Sequence, residues 1–380
     1  MNKKLKISII GVKGYPYVYG GFETLIKELV ERLVHKNVDI TVYCHRALFK
    51  QRPPMYNNVK LVYMPSIELK SFTQLVHSFI CTLHACFQKN DVVFYVNAAN
   101  GPFGMLTRLF GKKTVINVDG MEWLRPKWNG IGVHYFYFAA KQATKNFDIV
   151  VTDAYEMQKT YLSLFNKKTS MIAYGADSVS NAPITHLQQW GIEKNNYYLI
   201  VGRIIPDNNA HLIVEAFMSI NSTKKLVVVG DDIFHDSYYN AIKRIQNHPN
   251  IVFTGYVNDP VLLSALYQNC FIYIHGHEFG GTNPTIIKAL AEGTCIMALN
   301  NRFSQEVLQQ GKYGIYFEKE APHLAAKMLE AEASDLTNTS WVKTYRDLSK
   351  QGVTNIYNWD YIAEQYYQIF LNLQYEGNIQ

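Results

Sequence analysis

Apolar residues at 22, 25, 26, 29, 30 and 33 recur at helical spacing and predict an amphipathic helix over Gly21–Lys36. It follows a short unbroken apolar run that predicts a buried strand over Lys6–Val12. The alternation continues, with strands predicted at Asp39–Cys44, Val59–Met64, Val92–Val96, Thr114–Val118, Ile149–Thr152 and Thr169–Ile172, and helices at Ser71–Phe87 and Val133–Asn146. It then restarts. Strands at Tyr198–Val201, Lys225–Val229, Ile251–Thr254, Cys270–His275, Cys295–Leu299 and Gly314–Phe317 alternate with helices at Ala210–Ser219, Ser237–Asn247, Pro260–Gln268 and Pro284–Ala291. Strands alternating with helices in this way predict an α/β chain of two doubly wound, Rossmann-like parallel sheets. The expected division is 1–178 for the first domain, a polar linker over 179–196 containing Pro183, 197–357 for the second domain, and 358–380 for a C-terminal helix. That helix, over about Asp360–Gln374, follows the completion of both sheets and is expected to pack back on the first domain.

A length of 380 residues suits two domains, and 48% apolar residues supply two cores. The five cysteines form no CxxC pair and lie among apolar neighbours, which points to reduced thiols and neither a disulfide frame nor a zinc site. The basic N-terminus leads into an apolar run too short for a signal peptide or a membrane span. Charge changes the picture more. Residues 1–178 hold 23 Lys+Arg against 12 Asp+Glu, and the remainder 14 against 19, so +11 and −5 make up the net +6. A basic first half suggests an anionic partner on that side: a membrane surface, a lipid phosphate or a nucleic acid. Within it, Phe72, Leu75, Val76, Phe79, Ile80, Leu83 and Phe87 form one apolar face of Ser71–Phe87, read first as a core face and second as a membrane-surface face.

The turn after the first strand runs Gly11-Val12-Lys13-Gly14-Tyr15-Pro16 and reaches Gly20-Gly21 at the helix start. Glycine lets backbone approach a phosphate, and a helix N-terminus presents free N–H groups to it. The spacing is not GxGxxG, and the second strand ends in Tyr43-Cys44-His45-Arg46 without the carboxylate a dinucleotide ribose needs, so NAD and FAD are disfavoured. The P-loop pattern is missing. His275 and His277 alternate at a strand end with no third ligand at a familiar spacing, so no metal is expected.

Four segments carry a resemblance to the GT-B glycosyltransferases of family GT4. They are Gly14-Tyr15-Pro16-Tyr17-Val18-Tyr19-Gly20-Gly21-Phe22-Glu23-Thr24, Asn117-Val118-Asp119-Gly120-Met121-Glu122-Trp123, Val201-Gly202-Arg203-Ile204-Ile205-Pro206-Asp207-Asn208-Asn209, and His275-Gly276-His277 followed by Gly280-Gly281-Thr282-Asn283-Pro284. The likeness is nearest to bacterial rhamnosyltransferases with a DUF1972-type N-terminal domain that act on lipid-linked sugars. The resemblance implies two Rossmann-like domains facing across a cleft and a retaining transfer from a nucleotide diphosphate sugar, with no metal and no nucleic acid. Arg203 would hold the donor diphosphate and stabilise its leaving charge. Gly20, Gly21, Asp207, Asn208, Asn209, His275, Gly281, Thr282, Asn283 and Lys288 complete the implied donor set. Asp119, with Asp153 a weaker candidate, would serve the attacking hydroxyl, and Glu23, Glu122, Trp123 and Arg125 would face the acceptor. Lys112, Lys113 and Lys127 could also meet a lipid pyrophosphate.

Two positions depart from GT4. Asn208 stands where such enzymes generally have Lys, as it does in the rhamnosyltransferase branch. Lys288 stands where they have the Glu that takes ribose hydroxyls, and an ammonium cannot accept a hydrogen bond. Either Lys288 meets phosphate or base, or Glu292 or Glu278 takes the ribose. A dTDP sugar, lacking the 2′-hydroxyl, tolerates the change best. The expected reaction is therefore rhamnose transfer from dTDP-rhamnose to an undecaprenyl-diphosphate-linked sugar at the inner, cytoplasmic face of the plasma membrane, in capsule or cell-wall polysaccharide synthesis. Alternatives are another GT4 hexosyltransferase using a UDP- or GDP-sugar, a GT-B epimerase or phosphorylase, and a non-catalytic sugar-nucleotide-binding assembly subunit. Carboxylates paired at a glycosidase spacing are not visible.

Overall fold

A computed structural model of the chain describes residues 3–16, 20–67, 73–126, 128, 130–231, 237–337, 340–353 and 355–377. It divides into two units: Met1–Leu124, Trp128–Tyr174 and Asn358–Gln380 form the first, and Arg125–Lys127 with Gly175–Tyr357 the second. The segment 179–196, expected as a linker, lies in the second unit. It buries Leu187 and bonds to Gln268 and Asn269 through the N–H groups of Ala182 and Asn195.

The first unit is built on strands β1 (Leu5–Ile10), β2 (Val38–His45), β3 (Met55–Tyr56), β4 (Val59–Met64), β5 (Val92–Val96), β6 (Lys113–Asn117), β7 (Ile149–Thr152) and β8 (Ser170–Met171). Their order is β3-β4-β2-β1-β5-β6-β7-β8, parallel throughout except for the β3–β4 edge. Helix α1 (Gly21–Leu33) buries Leu25, Ile26, Leu29, Val30 and Leu33, the stripe its spacing predicts. It is followed by α2 (Thr73–Cys86), α3 (Phe103–Leu109), α4 (Ile131–Asn146) and α5 (Tyr155–Phe165). The C-terminal helix (Trp359–Gly377) returns to this unit. Successive strand residues point to opposite faces of a sheet. Phe94 packs on Tyr366 and Phe370 of the C-terminal helix, whereas Tyr95 donates to Thr82 of α2 at 3.0 Å and meets Phe147, just past α4. The C-terminal helix and α2 therefore cover opposite faces.

Helix α2 reverses the expected orientation. It buries His77, Ser78, Cys81, Thr82, Ala85 and Cys86, while Phe79, Leu83 and Phe87 are exposed. Leu75, Val76 and Ile80 are half-buried, and Ser71 and Phe72 lie outside the described residues. The core reading of the large apolar face is thus corrected. The inner side is small and hydrogen-bonded, with Thr82 donating to Ser78 O at 2.8 Å.

The second unit has strands β9 (Tyr197–Val201), β10 (Lys225–Val229), β11 (Ile251–Gly255), β12 (Ile272–His275), β13 (Ile296–Leu299) and β14 (Ile315–Phe317), all parallel in the order β11-β10-β9-β12-β13-β14. This is the mononucleotide-fold order, which reverses between β9 and β12. Helices α6 (Ala210–Met218), α7 (Ser237–Lys243), α8 (Pro260–Asn269), α9 (Pro284–Ala291), α10 (Arg302–Val307), α11 (Ala321–Asp335) and α12 (Trp341–Gly352) follow, which makes the C-terminal helix α13. Among the described residues no helix is long and apolar enough to cross a membrane, and all five cysteines are buried and free.

By unit the charges are +7 and −1, because α13 carries three acids and no base to the first unit, while Arg125, Lys127 and Asp177 fall in the second. Two of those acids pair with α1, Asp360 with Arg32 at 2.7 Å and Glu364 with Lys36 at 2.6 Å. α13 also reaches the sheet interior, where buried Asn117 donates to Tyr366 Oη at 2.8 Å. Tyr366→Phe removes the acceptor and strands that amide. Chemical denaturation should show a loss of about 1–3 kcal/mol, and an unchanged midpoint would refute the role of the bond.

Candidate active site

In a parallel doubly wound sheet, ligands bind beyond the carboxyl ends of the strands where the order reverses, because the two flanking connections leave in opposite directions there. In the second unit that point is β9/β12, paired through Tyr198–Ile272 and Leu199–Tyr273. β9 runs into Gly202 and Arg203, and β12 into Gly276, His277 and Glu278. Gly202, Arg203, Asn208, Gly276 and His277 line one depression. His275, His277, Glu278, Gly280, Gly281 and Asn283 line the adjoining one, with Asn301 and Ser304.

Paired asparagines pin these loops. Asn208 donates to Arg203 O at 2.7 Å, and Asn209, in left-handed conformation with φ 53°, donates to Gly276 O and Glu278 Oε1, each at 2.8 Å. A Cβ on Gly276 would come within 2.5 Å of Asn208 O, so glycine is required for this approach. Arg203 is exposed, and among the described residues its guanidinium makes no hydrogen bond or ion pair. Asn208, in place of the Lys expected of GT4, thus fixes the backbone that carries the guanidinium. Asp207 is buried and forms an ion pair with Arg125, Nε to Oδ2 at 3.6 Å. Arg125, expected on the acceptor side, is thus grouped with the second unit.

His275 and His277 stack with ring centroids 5.0 Å apart. Burial drives the His275 pKa down to about 3. It also drives His277 well below its usual value, helped by His275, Arg125 and Arg203. Both rings are neutral at physiological pH. A chain of hydrogen bonds fixes the His275 tautomer. Asn283 Oδ1 accepts from the Thr285 N–H at 2.9 Å and from Thr285 Oγ1 at 2.7 Å. Thr285 Oγ1 then accepts from Tyr273 Oη at 2.8 Å, which leaves Tyr273 Oη to accept from His275 Nδ1 at 2.9 Å. His275 therefore holds its proton on Nδ1 and has an unprotonated, accepting Nε2. Tyr273 and Thr285 were not expected from sequence, because neither residue type signals a role until the strand and the helix cap are seen side by side.

Asn283 caps α9 by accepting from the Thr285 N–H and Pro284 opens it, so the Gly281–Asn283 loop leads directly into the helix N-terminus. Lys288 does not face this end. Its Nζ bonds Glu292 Oε1 at 2.6 Å and Asp177 O at 2.7 Å. Glu292 is buried and further accepts from Ser264 Oγ at 2.7 Å, Gln268 Nε2 at 2.5 Å and the Val179 N–H at 3.3 Å. Both residues thus have internal partners. Glu278, half-buried, bonds Asn209 and Lys319 at the mouth of the site.

In the first unit, Asp119 follows β6 with φ 35° and accepts from the Gly120 N–H at 2.7 Å. Its own N–H donates to Asn117 Oδ1 at 3.1 Å, so α13, through Tyr366 and Asn117, positions it. Asp153 is fully buried. The charges of Asp119 and Asp153 both add to the burial that raises the pKa values of Tyr161, Tyr174 and Tyr366, and Glu23 adds to that of Tyr174. Two predicted carboxylates, Asp119 and Asp153, thus act on both Tyr161 and Tyr174, and Glu23 on Tyr174 alone; sequence reasoning did not single out these tyrosines.

The glycine-rich turn is less open than expected. Glu23 Oε1 accepts from the Lys13 N–H at 3.1 Å, and a Cβ on Gly20 would lie 3.4 Å from its other oxygen. A Cβ on Gly14 would meet Phe49 at 2.6 Å. Trp123, expected against a sugar, is buried among Tyr137, Tyr161 and Phe165, so protein covers its ring. Glu122 accepts from Trp128 Nε1 at 3.0 Å, and Lys112 donates to Gln88 O at 2.6 Å. Lys127 and Tyr17, Val18 and Tyr19 lie outside the described residues. Among the described residues no group of three or more His, Cys, Asp or Glu could hold a metal.

Two parallel doubly wound units and a β9/β12 site carrying a guanidinium and a helix N-terminus define a nucleotide-sugar-handling enzyme. Residues 4–177 match the family described as a domain of unknown function, DUF1972, and residues 184–352 match the glycosyl transferases group 1. The chain is a GT-B glycosyltransferase of the GT4 type. It is 25% identical, over 97% of its length and 99% of the relative's, to an uncharacterized glycosyltransferase of Methanocaldococcus jannaschii. It is 20% identical, over 65% of its length and 67% of the relative's, to the N-acetylgalactosamine-N,N'-diacetylbacillosaminyl-diphospho-undecaprenol 4-alpha-N-acetylgalactosaminyltransferase of Campylobacter jejuni. Among solved structures, the sucrose-phosphate synthase of Thermosynechococcus elongatus superposes with a TM-score of 0.80 at 17% identity, covering 97% of this chain and 99% of that one. HepE of Anabaena, in complex with UDP and glucose, gives 0.74 at 15% identity, covering 96% and 98%.

Two outcomes follow from the second unit. His275 and His277 are neutral when folded but bind protons below about pH 6.5 when unfolded, so their contribution is complete above that pH and is lost as pH falls toward about 3. The melting temperature should drop on acidification from about pH 7 to about pH 5, and His275→Gln should flatten that slope by roughly 1 kcal/mol per pH unit. Lys288→Met leaves the buried Glu292 carboxylate without its cation and should cost about 3 kcal/mol in denaturation. Lys288→Met with Glu292→Gln should recover most of it; no recovery would rule out the pairing.

Proposed function

We propose that the chain transfers L-rhamnose from dTDP-rhamnose, with retention at the anomeric carbon, to a polyprenyl-diphosphate-linked sugar at the cytoplasmic face of an anionic membrane, in cell-surface polysaccharide synthesis. The observation that supports this donor is the commitment of Lys288 and Glu292 to each other. Helix α9 then offers no carboxylate to a ribose 2′-hydroxyl, and a deoxyribose needs none. The acceptor class draws on the Campylobacter relative, whose name describes a diphospho-undecaprenol sugar.

In this reading the diphosphate lies at the ends of β9 and β12. Arg203 takes two phosphate oxygens, the N–H groups at the start of α9 take others, and charge growing on the leaving group is stabilised as the glycosidic bond breaks. His275 Nε2 accepts a hydrogen bond from a donor hydroxyl. Asp119 orients the acceptor hydroxyl, which enters on the face the diphosphate leaves and passes its proton to the departing phosphate oxygen.

The test offers dTDP-rhamnose, UDP-sugars and GDP-sugars separately to detergent-solubilised undecaprenyl-diphosphate-linked GlcNAc or glucose, with products read by mass spectrometry and the anomer by NMR. Incorporation from dTDP-rhamnose alone is expected; incorporation only from a UDP- or GDP-sugar would reject the rhamnose assignment. Arg203→Ala should lower turnover by roughly 100-fold or more without moving the melting curve of the ligand-free protein. Unchanged turnover would remove Arg203 from the diphosphate site.

A further inference from the structure

The outward face of α2 meets that of α3. Phe79 packs on Phe103 with centroids 5.6 Å apart, and Phe87 on Phe110 at 5.1 Å. Between and beyond these pairs, Leu83, Met105 and Leu109 are exposed, with Phe87 and Leu109 each at 75%. Isolated apolar residues on a surface are ordinary, whereas a contiguous set from two packed helices marks an interaction surface. Its charge is one-sided. Helices α2, α3 and α4 contain no acidic residue. Lys89, Arg108, Lys141 and Lys145 are exposed round the patch, and Arg108 donates to Lys145 O at 3.1 Å, which ties the cations of α3 and α4 together. Lys112 is held at its edge by Gln88 O. The acids of α13 that neutralise α1 lie on the opposite face of the sheet.

We propose that the α2–α3 face, centred on Phe87, Leu109 and Phe110 and rimmed by Lys89, Arg108 and Lys145, docks the first unit onto an anionic lipid bilayer. This deepens the membrane part of the function proposed above and rests on it. The helix has the polarity such a role requires. Its small side, with Ser78, Cys81, Thr82 and Ala85, fits the sheet, and its large side chains are left for hydrocarbon at the headgroup boundary, with lysine and arginine at the level of lipid phosphates. A protein partner would need a counterpart surface of its own, whereas a bilayer accepts apolar bulk and positive charge without shape complementarity.

The test uses the full chain with vesicles of phosphatidylcholine, with and without phosphatidylglycerol, and reads the bound fraction by flotation. Wild type should prefer the anionic vesicles by roughly 10-fold or more, and the preference should shrink with salt. Phe87→Ser with Leu109→Ser and Phe110→Ser should lower binding about 10-fold or more. Lys89→Glu with Arg108→Glu and Lys145→Glu should abolish the anionic preference. Leu336→Ser, at a 90% exposed leucine of the second unit, should change nothing. All variants should keep the wild-type melting curve and their turnover on detergent-solubilised acceptor. That assay separates the readings: turnover with no vesicle binding would sink the docking face and leave the transfer reaction standing. Equal binding by wild type and the serine variant would also overturn the proposal. So would a wild-type dimer in sedimentation that the serine variant dissociates, because it would assign the face to a second copy of the chain.

Discussion

The reversal of strand order in each parallel sheet is the constraint on which the rest depends. Parallel strands packed side by side bury their ladders and leave ligands no entry except past their ends, and only where neighbouring connections diverge does the backbone stand open. In the second unit that opening is β9/β12, and the chain spends its irregular residues there: Gly202, Asn209 in left-handed conformation and Gly276 against Asn208. Backbone held this way can point carbonyls inward to asparagine amides and a guanidinium outward. The site is therefore a property of topology first and of side chains second.

Much of this was legible in the sequence, for identifiable reasons. Unbroken apolar runs such as Val92–Val96 and Leu226–Val229 locate buried parallel strands, and glycine or asparagine at their exits locates the loops. What escaped was structure whose signal is weak or shared with another state. Helix α11 buries Leu324 and Met328 among Ala321, Ala325 and Ala331, a stripe with only two large apolar side chains, and α12 buries only Val342, Ser349 and Gly352. Helix α2 misled for the opposite reason, since its pattern shows which residues share a face but not which side that face takes. The partners of Trp123 and Arg125 could not be read from sequence because a short loop can turn either way, and the side it takes depends on residues far along the chain, Tyr161 and Asp207 among them.

The same limit explains Lys288. Read alone it removes a carboxylate from a donor helix. With Glu292 one turn on, buried and bonded to Ser264 and Gln268, the lysine completes an internal network whose desolvation would otherwise be unfavourable. Restoring Glu at 288 would set two carboxylates against each other in that network. The departure at 288 is thereby coupled to 292, through packing behind the helix.

The charge distribution carries the last step. A nucleotide diphosphate sugar is anionic, yet the unit proposed to bind it is close to neutral overall at −1. Net attraction cannot steer the donor in, and screening at physiological salt removes what the long-range field offers beyond about 8 Å. In the function proposed above, recognition is then local, from an exposed Arg203, two histidines kept neutral by burial and the amide dipoles at the start of α9. Neutral histidines suit this arrangement, because a protonated His275 would lose its acceptor nitrogen and a protonated His277 would repel the Arg203 guanidinium. The excess positive charge sits instead on the first unit, where α13 cancels it on the α1 side and leaves it on the α2–α3–α4 side. One unit thus binds its anion by geometry, while the other presents charge and apolar bulk over an area, the form of attraction suited to an extended surface more than to a single small molecule.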